Sequence, residues 1–85
     1  MEYSVYRFIS EDLNMTVNAF AKATYTKQSR LAMWKTRERT VGELPIQLLT
    51  DLVAESGLSY DDVIHKLMRY EIDYETEKAG IDVNG

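Results

Sequence analysis

Signals for the starts and ends of helices in the second half of the chain constrain the fold more than any other feature of the sequence. Pro45 suits the first turn of a helix, where its missing N–H is no loss. Gly57 suits the left-handed residue that follows a helix. Ser59, with an acid three residues later, forms an N-terminal capping box. These signals predict two consecutive helices, one on either side of Gly57.

Apolar residues recur at helical spacing in both predicted helices, as is typical of helices that bury one face. The first stripe consists of Ile46, Leu49, Leu52 and Val53, with Leu48 beside it. The second stripe consists of Val63, Ile64, Leu67, Met68, Tyr70 and Tyr74. We expect the last helix to continue to about Lys78 and to end at Gly80.

The first forty residues contain neither glycine nor proline, so their helix boundaries must be inferred from periodicity and capping residues. One helical face would carry Val5, Tyr6, Ile9 and Leu13. The segment EYSVYRFI is also rich in strand formers, which leaves residues 2–9 open between helix and strand. Ser10 is an alternative cap for a helix that runs through Phe20. We favour a first helix, a break near Asn14 and a second helix capped by Thr16.

A third helix is predicted to begin at Thr26 or Lys27. Leu31 and Trp34 are three residues apart and therefore share the side of this helix that faces the core. Residues 36–44 show no apolar period, which predicts an irregular loop.

Eighty-five residues correspond to a single domain. The predicted fold class is all-α, a compact bundle of four to five helices. We assign residues 1–78 to the domain and residues 79–85 to a flexible C-terminal tail.

Positive charge is concentrated in residues 16–39, which we call the cationic segment. It contains six of the ten basic residues and one acid, Glu38, so its net charge is +5. The other four basic and thirteen acidic residues give the remaining chain a net charge of −9. A face with this charge suits a polyanion. The basic residues are Lys22, Lys27, Arg30, Lys35, Arg37 and Arg39.

Residue types that carry catalysis or bind metals are sparse. The absence of cysteine excludes a thiolate ligand and a cysteine nucleophile, and His65 is the only histidine. The adjacent acids Asp61 and Asp62 point in different directions on a helix. We therefore expect no enzymatic activity, no catalytic residue, no metal site and no cofactor.

The N-terminus has no basic start followed by an apolar run, so it predicts no signal peptide. No stretch approaches the ~18 apolar residues of a membrane-spanning helix. We expect a cytoplasmic protein that does not enter membranes.

Two blocks of sequence together resemble a known family. The first contains Met15-Thr16, Phe20-Ala21, Tyr25-Thr26-Lys27, Gln28-Ser29-Arg30-Leu31 and Trp34. The second is LPIQLLTDLVAESGLSYDDVIHKL, residues 44–67. They resemble the phage-repressor (lambda-repressor-like, or Xre) helix-turn-helix family, with the second block similar to its fourth helix, glycine break and fifth helix. The organisation is also similar to the N-terminal helix-turn-helix domain of certain phage anti-CRISPR proteins.

The resemblance implies roles for individual residues. Ala21 would let the two helices of the motif pack closely, while Leu31 and Trp34 would anchor the second helix. The positions implied to read bases in the major groove are Lys27, Gln28, Ser29 and Met33. Gln28 is the best candidate for direct readout, because glutamine bonds adenine edges bidentately. Phosphate contacts are expected from Thr16, Lys22, Arg30, Lys35, Arg37 and Arg39.

The chain departs from the family pattern at the turn. Tyr25 occupies the position where the family usually has glycine, and a non-glycine residue at positive φ costs roughly 1–2 kcal/mol. Lys27 occupies a position where a capping hydroxyl is common, which leaves Thr26 as the obvious cap. Two registers of the groove-facing residues, one position apart, are therefore compatible with the sequence.

The predicted function is a small sequence-specific DNA-binding transcriptional regulator, a repressor of phage or mobile-element type. It would insert the helix over about residues 27–36 into the major groove of double-stranded DNA. As a homodimer it would read half-sites ~34 Å apart. The alternative is a protein-binding inhibitor or antirepressor that uses the same scaffold on a protein partner, because thirteen acids outside the cationic segment repel DNA.

The predicted dimer interface lies on the last helix, where amphipathic aromatic residues favour contact with a partner. It consists of Val63, Leu67, Tyr70 and Tyr74. For Tyr70 and Tyr74, the alternative is that both side chains cover the first helix.

Overall fold

The computed structural model describes residues 2–80 and contains five helices and no strand in that range. Helix α1 is an α-helical turn, Ser4–Arg7, that continues as a π-helical turn, Phe8–Asp12. The other helices are α2 (Val17–Thr24), α3 (Gln28–Thr36), α4 (Ile46–Ser56) and α5 (Tyr60–Lys78). The all-α prediction is confirmed. Residues 81–85 of the predicted tail lie outside the described residues.

Helix α5 is the central element because it packs against both α1 and α4. Its inward face contributes Val63 and Leu67, and both side chains are fully buried. The core is completed by fully buried residues of the other helices, namely Val5, Phe8, Ile9, Phe20, Leu31 and Leu52.

The segment left open between helix and strand is helical. The Leu13 N–H bonds to the Phe8 carbonyl five residues earlier, at 3.2 Å, and this wider hydrogen-bond ring defines the π turn. Within the turn, Phe8 and the adjacent Ile9 are both fully buried. The predicted break at Asn14 is confirmed, since this residue has φ 54° and asparagine tolerates the left-handed region.

The predicted caps at Thr16 and Ser59 are confirmed. The Thr16 hydroxyl accepts a hydrogen bond from the Ala19 N–H at 3.0 Å, and the Ser59 hydroxyl accepts one from the Asp62 N–H at 3.1 Å. Gly57 ends α4 at φ 74°. Two further predicted boundaries also agree with the structure: Pro45 immediately precedes α4, and Gly80 follows the end of α5 at φ 73°.

The prediction of an irregular loop over residues 36–44 is wrong in part. It contains a 3-10 turn, Val41–Glu43, that begins with a capping box. There the Glu43 carboxylate accepts a 3.0 Å hydrogen bond from the Thr40 N–H. The Val41 N–H donates to Glu71 of α5 at 2.6 Å, which fixes the turn against that helix. A single short turn shows no apolar period, so periodicity does not detect it.

The predicted stripe on α4 requires a correction at its first residue. The side chain of Ile46 is 71% exposed, whereas Leu48, Leu49 and Leu52 are buried. Ile46 opens the helix directly after Pro45 and faces solvent.

The predicted dimer interface on α5 is wrong for Val63 and Leu67. Their exposure is 0% within a single chain, so a second copy cannot reach them. The other two predicted interface residues, Tyr70 and Tyr74, pack against α1 and the residue before it. The Arg7 guanidinium lies 4.3 Å above the ring of Tyr70, and the ring of Tyr74 meets that of Tyr3 edge-on at 6.2 Å.

None of the helices within residues 2–80 combines the length and the apolar character that crossing a lipid bilayer requires.

Candidate nucleic-acid interface

The candidate interface is built from α2, α3 and the turn between them. Helix α2 ends in a Schellman motif. The Thr26 N–H donates to the Ala21 carbonyl at 3.0 Å, and the Tyr25 N–H donates to the Lys22 carbonyl at 3.5 Å. These bonds require a left-handed residue at position 25, and Tyr25 adopts it with φ 57°. The turn thus has the backbone geometry that usually requires glycine. Placing a tyrosine in the left-handed conformation costs roughly 1–2 kcal/mol.

Two large side chains hold α3 against the core. Leu31 is fully buried and Trp34 is nearly so, and both project from one side of the helix. Ala21 of α2 is also buried, as expected of a small residue where two helices approach closely. The predicted core positions of Leu31 and Trp34 are confirmed. The opposite side of α3 is left open to solvent.

The outward face of α3 follows from helical geometry. Positions opposite Leu31 and Trp34 are occupied by Ser29, Ala32, Met33 and Thr36, and all four are exposed. Ser29 and Met33 were predicted from the family resemblance. Ala32 and Thr36 were missed, although their spacing from Leu31 and Trp34 places them on this face. Apart from Met33, the face consists of small side chains, so the helix backbone can approach a groove wall closely.

The amino end of α3 has no side-chain cap. Lys27 is the N-cap residue and its side chain makes no capping hydrogen bond. The predicted role of Thr26 as the cap is wrong, because its hydroxyl pairs with that of Thr24 at 2.9 Å. The first N–H groups of α3, at Gln28 and Ser29, therefore have no side-chain acceptor among residues 2–80. Uncapped N–H groups beside a lysine favour an anionic ligand such as phosphate.

Four of the six cations in the cationic segment are available to a ligand. They are exposed and make no side-chain hydrogen bond or ion pair within residues 2–80. These four are Lys22, Lys27, Arg30 and Arg37. Arg30 lies on one side of the outward face of α3, and Arg37, the residue after the helix, lies on the same side. Gln28 lies on the other side.

The remaining two cations have partners inside the protein. The Lys35 ammonium lies 5.0 Å from the centre of the Tyr6 ring, within the range of a cation–π contact. The Arg39 guanidinium pairs with Glu43 at 3.4 Å. The backbone carbonyl of Arg39 accepts a hydrogen bond from the Tyr3 hydroxyl at 2.6 Å. We therefore place Arg39 at the edge of the candidate interface.

The one acid of the cationic segment is held away from α3. Glu38 follows the helix with φ 52° and forms an ion pair with Lys78 of α5. It also accepts a 3.3 Å hydrogen bond from the Tyr74 hydroxyl. The hydrogen bond from Lys78, together with its charge, lowers the pKa of Glu38. Its negative charge is therefore compensated by α5.

Thr16 serves α2 and remains able to meet a phosphate. As the cap, its hydroxyl oxygen accepts the Ala19 N–H. Its own proton is not used in that bond and can be donated to an oxygen outside the protein. The side chain is exposed at the amino end of α2.

Fold and site together define an all-α protein in which an anchored helix presents small residues flanked by unpaired cations. Comparison with protein-family models, curated proteins and solved structures finds no match for this chain.

Proposed function

We propose that this protein is a non-enzymatic, sequence-specific DNA-binding regulator that inserts α3 into the major groove. The observation that carries the proposal is the asymmetry of α3. One side is fixed by Leu31 and Trp34, and the other is open and flanked by unpaired cations. A major groove about 12 Å wide admits an α-helix of this kind.

Base readout is assigned to the first turn and outward face of α3. Gln28 has both an amide donor and an acceptor, as adenine requires. Ser29 can donate or accept, and Met33 offers an apolar contact for a thymine methyl group. Lys27, at the helix start, can reach a guanine edge. Phosphate contacts by Lys22, Arg30 and Arg37 position the helix without reading sequence.

The charge distribution sets the salt dependence of binding. Four unpaired cations per copy correspond to a slope of about −3.6 in log K against log salt, or roughly a 10²-fold loss of affinity between about 50 and 200 mM salt. A dimer bound through both copies would show about twice this slope.

The experiment is fluorescence anisotropy with duplex DNA from upstream of the protein's own gene, a scrambled duplex and a series of salt concentrations. We expect tighter binding to the upstream duplex and the salt slope given above. Gln28→Ala should reduce the preference for the upstream duplex. Arg30→Ala should weaken binding to both duplexes and lower the slope by about 0.9. Affinity that is independent of salt would contradict the proposal.

The homodimer is proposed to form through the outward face of α5. Ile64, Met68 and Ile72 follow one another at four-residue spacing, and the last two are 47% and 64% exposed. Met68 and Ile64 also line an apolar groove of about 370 Å³ beside α4. Two copies that pair through this face would cover the three apolar side chains.

Sedimentation velocity tests this interface. Met68→Asp should sediment as a monomer, while the control Ile46→Asp, which places the same charge on α4, should sediment like the wild type. A wild-type monomer at high protein concentration, or a dimeric Met68→Asp variant, would contradict the proposed interface.

The alternative function is that of a protein-binding inhibitor or antirepressor. It is favoured by the apolar centre of the outward face, Ala32 and Met33, and by the thirteen acids outside the cationic segment. The discriminating variants are Lys27→Ala and Arg30→Ala. If both abolish activity in cells, while neither they nor the wild type bind DNA detectably, the inhibitor function is the correct one.

A further inference from the structure

Tyr25 is the most exposed large hydrophobic residue in the described part of the protein. Its side chain is 96% exposed, and its backbone occupies the left-handed region at φ 57°. The hydroxyl makes no hydrogen bond within residues 2–80. Tyr25 therefore carries a conformational cost that none of its own side-chain contacts offsets.

The other two non-glycine residues with positive φ differ from Tyr25 in this respect. Asn14 belongs to a residue type that visits the left-handed region readily. Glu38 is held by Lys78 and Tyr74 on α5. A glycine would provide the same turn at position 25 without strain. The tyrosine side chain is therefore positioned for a contact outside the chain.

The surroundings of Tyr25 indicate a nucleic-acid backbone. Lys22 and Lys27 are three and two residues away, and neither makes a side-chain hydrogen bond or ion pair within residues 2–80. Tyr25 and Gln28, at the start of α3, are three positions apart in the chain, so their Cα atoms are at most about 11 Å apart. When α3 lies in a groove, a side chain at the turn reaches the sugar–phosphate chain at the groove edge.

We propose that Tyr25 is a DNA contact residue that packs its ring on a deoxyribose and donates its hydroxyl proton to a phosphate oxygen at the edge of the groove. Tyrosine is among the side chains that bond phosphate in protein–DNA interfaces. This inference rests on the proposed function and adds to it a neutral contact that charge patterning does not reveal. It also explains why the strained turn carries a large side chain.

The test combines affinity, salt slope and thermal stability in four variants. Tyr25→Phe removes only the hydroxyl and should weaken duplex binding about ten-fold. Tyr25→Gly and Tyr25→Asn also remove the ring and should weaken binding further. Both should raise the melting temperature by about 4–8 °C, because glycine and asparagine suit the left-handed backbone. Tyr60→Phe, which deletes a hydroxyl bonded internally to Thr50 at 2.9 Å, is the matched control and should leave affinity unchanged.

The salt slope separates this contact from an electrostatic one. Because tyrosine is neutral, the Tyr25 variants should keep the wild-type slope, whereas Lys27→Ala should lower it by about 0.9. If the wild type binds DNA and Tyr25→Gly binds equally well, this inference is wrong and the proposed function stands. If the wild type shows no salt-dependent binding, the proposed function fails and this inference with it. If the Tyr25 variants lose more affinity for single-stranded than for duplex DNA, Tyr25 stacks on an unpaired base and does not contact the sugar–phosphate backbone.

Discussion

The Tyr70 hydroxyl donates a 2.6 Å hydrogen bond to a carboxylate oxygen of Asp12, joining α5 to the π turn of α1. The second oxygen of Asp12 pairs with the Lys66 ammonium at 3.2 Å. Burial, together with the neighbouring carboxylate, raises the pKa of Tyr70 to about 12. The protonated phenol is therefore the form that the folded state favours.

This contact predicts a loss of stability in alkali. Folding raises the pKa of Tyr70 from the ordinary tyrosine value of 10.0 to about 12. Its stabilising contribution is therefore complete below pH 10 and is lost as the pH rises through 12. The free energy of unfolding, measured by urea titration at a series of pH values from below 10 to 12, should fall with rising pH. In Tyr70→Phe it should fall less. An identical alkaline loss in Tyr70→Phe would show that other groups are responsible.

Ser4 predicts a stabilising substitution. The residue is 1% exposed, and its hydroxyl has no hydrogen-bond partner within residues 2–80. An unsatisfied buried polar group costs about 1–3 kcal/mol, so Ser4→Ala should raise the free energy of unfolding by about 1 kcal/mol in urea titrations. The control is Ser10→Ala, at an exposed serine, for which a change within about 0.5 kcal/mol is expected. A less stable Ser4→Ala variant would indicate that the hydroxyl has a favourable partner.

Leu67 and Met68 are adjacent on α5 but differ completely in burial. Leu67 is fully buried, whereas Met68 is 47% exposed. Leu67→Ala should lower the free energy of unfolding by about 2–5 kcal/mol through lost burial and a cavity. Met68→Ala should change monomer stability by less than about 0.5 kcal/mol, measured below the concentration at which any dimer forms. Similar losses for both variants would contradict the orientation of α5.

Helix boundaries are predictable here because they depend on hydrogen bonds between near neighbours. Thr16 and Ser59 each cap an N–H three residues ahead, and Gly57 supplies a left-handed residue. The 3-10 turn also carries a local signal, the capping box of Thr40 and Glu43, but the bond of its Val41 N–H to Glu71, thirty residues later, has no local signal. Likewise, the helical state of residues 4–12 is stabilised by packing on α5, which local propensity does not encode.

The candidate interface was predictable in its position and not in its detailed charge pattern. Leu31 and Trp34 identify the buried side of α3 from spacing alone. The diversion of Glu38 to Lys78 and of Lys35 to Tyr6 depends on distant partners. The error at Val63 and Leu67 has a related cause, because an apolar row predicts burial without showing whether the same chain or a second copy covers it.

Lys27 predicts an opposition between stability and DNA binding. It is the N-cap of α3 in an extended conformation that suits a capping hydroxyl, yet its side chain caps nothing. Lys27→Ser should therefore raise the free energy of unfolding by about 1 kcal/mol. The same substitution removes a positive charge that faces the DNA and should lower the salt slope of DNA binding by about 0.9. Lys22→Ala, the control, should lower the slope equally without raising stability. A Lys27→Ser variant that gains stability and retains full affinity and slope would remove Lys27 from the interface.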